Sequence, residues 1–91
     1  MKNLENLIND KINATPYITE DVETSGMFVD ISNMVEDVRA YVHPDGEQYG
    51  CDLFHWNYEP ITNVYGHAPT KAGAILNALE QLVGLENIEV A

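Results

Sequence analysis

The pentapeptide His43-Pro44-Asp45-Gly46-Glu47 constrains this chain more than any other segment, because it stands between two runs of alternating side chains. Proline presets the dihedral that opens a turn, aspartate bonds to its own backbone, and glycine accepts φ > 0. From Val35 to His43, Val38, Ala40 and Val42 alternate with Asp37, Arg39 and Tyr41. From Gln48 to Trp56, Tyr49, Cys51 and Leu53 share one face while Asp52, Phe54 and Trp56 share the other. Two period-two runs joined by a short turn predict a β-hairpin, which imposes antiparallel pairing on the middle of the chain. Aromatics on both faces of the returning strand point to some cover on each side.

The flanking segments complete the layout. Leu4, Leu7, Ile8 and Ile12 recur at helical spacing and predict a short amphipathic helix over residues 3 to 13, which Pro16 prevents from continuing. Residues 17 to 23 alternate weakly, as a strand or an extended loop. Thr24-Ser25-Gly26 turns the chain into Met27–Ile31, a strand with Met27, Val29 and Ile31 on one face. Ser32-Asn33 then leads into the hairpin. Asn57-Tyr58-Glu59-Pro60 breaks the pattern, and Ile61 to Tyr65 reads as a further short strand closed by Gly66, with Pro60 favouring its start or an edge. Thr70 is an N-cap for a helix whose apolar stripe is Ala72, Ile75, Leu76, Leu79, Leu82 and Val83, ending at Gly84 as the C′ residue. Leu85, Ile88 and Val90 are too few to classify. The expectation is one domain over residues 1–91 in the α+β class: an antiparallel sheet of three to four strands flanked by an N-terminal and a C-terminal helix, with the helices on one face.

The 91 residues carry 15 acidic and four basic side chains, a formal charge of −11. Between Ile12 and Val38 lie Glu20, Asp21, Glu23, Asp30, Glu36 and Asp37 with no lysine or arginine among them, so this stretch cannot neutralise itself by local pairing. A hydrophobic content of 45% argues for a folded core despite that charge. No signal-peptide pattern and no long apolar run is present, and the single Cys51 excludes an intrachain disulfide, so a cytoplasmic, non-membrane protein is expected.

Chemistry-bearing motifs are sparse. His43, Cys51, His55 and His67 are ligand types, but their spacing matches no structural zinc motif, and no metal or other cofactor is expected. A nucleophilic centre would have to be assembled from Cys51, His55 and Asp52. The glycines never form a phosphate-binding signature. With no catalytic motif, a non-enzymatic role is expected. Direct nucleic-acid binding is disfavoured because phosphate contacts demand basic residues, and only Lys2, Lys11, Arg39 and Lys71 are available.

The charge instead suits a partner whose own surface is basic, above all one built to hold DNA or RNA. Carboxylates on neighbouring strands, about 4.8 Å apart, can imitate a phosphate backbone. The candidate contact residues are Glu20, Asp21, Glu23, Asp30, Glu36 and Asp37, followed by Asp45, Glu47 and Asp52. Tyr17, Tyr41, Tyr49, Trp56, Tyr58 and Tyr65 are interface-prone types, with Trp56 and Tyr58 adjacent in the break before Pro60. An edge strand left open would allow a homodimer. In size, charge and element order the chain resembles the small acidic phage inhibitors of host nucleic-acid enzymes, the anti-restriction and anti-CRISPR proteins, some of which mimic DNA. That resemblance implies an inhibitor acting in the host cytoplasm on a nuclease, a restriction or CRISPR complex, or a nucleoid protein. Gly66 followed by Thr70-Lys71-Ala72-Gly73-Ala74 is in turn similar to the strand-to-helix junction of HicB-type antitoxins, which would imply an antitoxin or a regulatory protein-interaction domain.

Overall fold

The computed structural model describes residues 4–14, 20–21, 26–32 and 34–88. Helix α1 (Leu4–Ala14) is followed by five strands, β1 (Glu20–Asp21), β2 (Gly26–Asp30), β3 (Val38–Asp45), β4 (Gln48–His55) and β5 (Gly66–Ala68), then by helix α2 (Lys71–Val83) and a 3-10 turn at Leu85–Asn87. The sheet is an antiparallel meander in the order β1-β2-β3-β4-β5. This is the α+β architecture expected, its two outermost strands only two and three residues long.

Register follows from the alternation. Val29 faces Ala40, which faces Leu53, and Val42 faces Cys51, which faces Gly66, so these residues share one face. Their side chains are buried together with Ile8 of α1 and Ala72, Ala74, Ile75, Ala78 and Leu79 of α2. Each fully buried Ile, Leu or Val contributes about 1.5–3 kcal/mol through loss of apolar surface from water. Both helices therefore lie on this one face, and among the described residues the other face, carrying Phe28, Asp30, Arg39, Tyr41, His43, Asp52 and Phe54, has no helix across it.

The β5–α2 junction is set by close packing. A Cβ at Gly66 would run into the backbone of Ala74 and Ala78, so only glycine lets α2 settle on the sheet edge here. Thr70 is extended (φ −124°, ψ 155°) and its hydroxyl accepts a hydrogen bond from the Gly73 N–H, capping the helix.

Three local expectations are corrected. The first hairpin strand starts at Val38, not Val35, because the amides of Met34 and Val35 donate back to the Ile31 carbonyl and Asp37 takes φ 63°. The turn is tighter than the pentapeptide: His43, Pro44 and Asp45 pair with Gly50, Tyr49 and Gln48, leaving only Gly46, at φ 66°, and Glu47 as the loop. Pro44 is tolerated because pairing alternates, so one residue in from the closing pair the missing N–H faces away from β4, beyond the end of β2. The last strand is Gly66–Ala68 instead of Ile61–Tyr65; Asn63 adopts φ 66°, which breaks an extended run, and Pro60 makes only a single bridge to Phe54. Tyr17, Glu23, Thr24, Ser25, Asn33 and Val90, named from the sequence, lie outside the described residues.

Candidate functional site

Side chains of period-two positions off the core face build a band across the open side of the sheet. Phe28 of β2 is its hub, with ring centroids 4.8 Å from Tyr41, 5.5 Å from Phe54 and 5.3 Å from Tyr58. Tyr41 stacks on His43 at 5.6 Å, and His43 lies 6.1 Å from Tyr65. At the opposite end the Arg39 guanidinium lies 3.6 Å from the Trp56 ring and 4.4 Å from Tyr58, while its Nε donates to the Trp56 carbonyl at 3.0 Å. Trp56, Tyr58 and Tyr65 are 47%, 52% and 40% exposed, so the band is open to a partner. Two strand glycines make room for it: a Cβ at Gly26 would meet the Tyr41 ring, and one at Gly50 would meet Tyr65.

Carboxylates accompany the rings. Asp30 accepts from the Ser32 N–H at 3.0 Å and the Ser32 hydroxyl at 2.7 Å; those bonds, with Arg39 and Lys11 nearby, hold it below the usual carboxylate range. Asp52 sits directly across from Tyr41 and 3.4 Å from His43 Nε2. Asp45 accepts from the Tyr65 hydroxyl at 2.6 Å and lies 3.6 Å from His67 Nε2. Partial burial, followed by the bond to Asp45 and the negative charge around it, pushes the Tyr65 phenol up to about 12.

The structure divides the sequence-predicted acidic stretch between the two ends of the sheet. Asp30, Glu36 and Asp37 stand where β2 passes into β3, whereas Glu20 and Asp21 pair with Met27 and Gly26 near the other end of β2, towards the hairpin that holds Asp45 and Glu47. Asp52 lies between the ends. Glu23 is outside the described residues. Of the nine candidates, the open face brings together Asp30, Asp45 and Asp52, each beside a ring or a cation.

The Cys51–His55–Asp52 grouping is not assembled. Cys51 is fully buried on the core face, where desolvation pushes its thiol up, and Asp52 is on the opposite face. Among the described residues no three His, Cys, Asp or Glu side chains stand where they could hold a metal ion, and no helix is long and apolar enough to cross a membrane. Sequence reasoning picked out Trp56, Tyr58 and the carboxylates but missed Phe28, Arg39 and Phe54 as one surface. The signal was there in the alternation and in two strand glycines, which mark close approach. Comparison with family models, with curated proteins and with solved structures finds no match to this chain.

Proposed function

We propose that this chain is a non-catalytic acidic inhibitor that lays the open face of its sheet on the nucleic-acid-binding surface of a basic cytoplasmic protein, a reading in line with its resemblance to the anti-restriction and anti-CRISPR inhibitors, some of which mimic DNA. The composition of that face carries the reading: an exposed aromatic band with carboxylates along its length, in a chain of net charge −11. Rings supply contact area and charges steer the encounter.

The carboxylates of the open face are spread along the strand axis. Val38 to Asp45 extends about 23 Å at about 3.3 Å per residue. On the open face Asp30 stands level with Arg39, Asp52 with Tyr41, and Asp45 at the end of the strand, so three carboxylates span about 20 Å, one per about 10 Å at about 3.3 Å per residue, against about 3.4 Å per charge along one nucleic-acid strand and about 1.7 Å for a duplex. These anionic points are sparser than phosphates and have rings between them, an arrangement suited to meeting separate basic side chains of a nucleic-acid-binding surface.

The test is displacement of a labelled single-stranded oligonucleotide from purified restriction, CRISPR and nucleoid proteins. The chain should displace it from at least one, more weakly as salt rises. The Glu36→Gln, Asp37→Asn, Glu47→Gln variant should be weaker and less salt-dependent; Asn is chosen at 37 because it tolerates φ 63°. Failure to displace from any of them at low salt would overturn the proposal. Salt-insensitive capture of a basic toxin would favour the antitoxin-type reading.

A further inference from the structure

We infer that the partner residues received by the open face are arginines, not lysines; this rests on the acidic-inhibitor reading above. The face is not a plain acidic surface. Each of its three carboxylates is set beside an aromatic ring or a stacked cation: Asp52 across from Tyr41, Asp45 bonded to Tyr65, and Asp30 across from Arg39. A guanidinium can lie flat on a ring and still turn two N–H groups towards a carboxylate, whereas an ammonium is a strongly hydrated point charge with no plane to stack.

The chain displays this chemistry with its own Arg39. Its guanidinium carbon is 3.6 Å from the Trp56 ring centroid and 4.4 Å from that of Tyr58, and Asp30 is close enough for the positive charge to act on it. One end of the band is therefore filled from within by a guanidinium. The middle and the hairpin end, at Tyr41 with Asp52 and at Tyr65 with Asp45, repeat the ring-plus-carboxylate pairing on a face that no helix covers among the described residues. The occupant that complements both the charge and the planes is an arginine-rich protein surface.

Nona-arginine and nona-lysine peptides, equal in length and charge, separate charge from stacking. Each is titrated into the full chain with Trp56, the only tryptophan, as a fluorescence probe and with calorimetry as a second readout. Nona-arginine should bind about tenfold more tightly, the preference expected from stacking on partly desolvated rings. Tyr41→Leu should shrink the arginine preference, and Asp52→Asn should weaken both peptides; circular dichroism and a thermal melt verify that each variant is folded. Equal affinity for the two peptides would overturn the arginine inference while leaving a basic partner in place. Binding of neither at low salt would overturn the acidic-inhibitor reading as well.

Discussion

Tyr65 joins the sheet's open face to its hairpin end, and its hydroxyl hydrogen bond to Asp45 gives it an observable signature. A phenol pushed up to about 12 in the folded chain, against about 10 when unfolded, contributes stability that is fully present below about pH 10 and lost as pH rises towards 12. Tyr65 should therefore titrate late in a tyrosinate-absorbance titration, and Tyr65→Phe should remove that late step. A titration that shows no late step lost in Tyr65→Phe would contradict the Asp45 contact. Cys51 has the opposite relation to solvent. Buried among Val42, Leu53 and the helices, with its thiol held protonated, it should react with a disulfide reagent only as the chain unfolds. Reaction at a native rate comparable with that of a free thiol would show that this part of the core opens.

At the scale of elements, the meander depends on how α2 seats against the sheet. Ala72, Ala74 and Ala78 keep the buried helix face thin, and Gly66 lets the helix backbone approach β5. Gly66→Ala should cost about 1–3 kcal/mol, the usual penalty of forcing a methyl group into a filled space, read as a lower urea midpoint. Because backbone atoms of Ala74 and Ala78 block the space, relief requires α2 to shift as a unit. A variant of unchanged midpoint would mean that the helix is not seated there. Among the described residues the outermost strands are two and three residues long.

For the molecule as a whole, charge and size set a further expectation. Its extents of 35, 26 and 24 Å are comparable with the screening length of about 30 Å at 0.01 M salt and well above the roughly 8 Å at 0.15 M. In dilute buffer the excess of eleven negative charges is felt across most of the molecule, whereas in physiological salt only neighbours interact. The melting temperature should rise by about 4–8 °C between these conditions, the shift that about 1 kcal/mol produces in a domain of this size. A flat dependence would mean that local pairs such as Asp45–His67 and Asp52–His43 dominate.

The alternation of Val38, Ala40 and Val42 and of Tyr49, Cys51 and Leu53, the Gly46 turn and the Thr70-to-Gly84 helix were sufficient to determine the element order and the face that goes inside, because side-chain period and capping are local properties. Strand ends were less legible: Asp37, Asn63 and the turn at Ile31 stop or delay extension through backbone angles that composition does not reveal. The site was legible only in its ingredients. Which carboxylates meet which rings depends on the register of β2, β3 and β4, a relation between residues on different strands such as Tyr41 with Asp52 and Phe28 with Tyr41. Tertiary structure alone divided the acidic stretch between the two ends of the sheet and placed Arg39 between Trp56 and Tyr58. Strand pairing decides such neighbours, since through-space distances across a sheet are fixed by hydrogen-bonded register and not by separation along the chain.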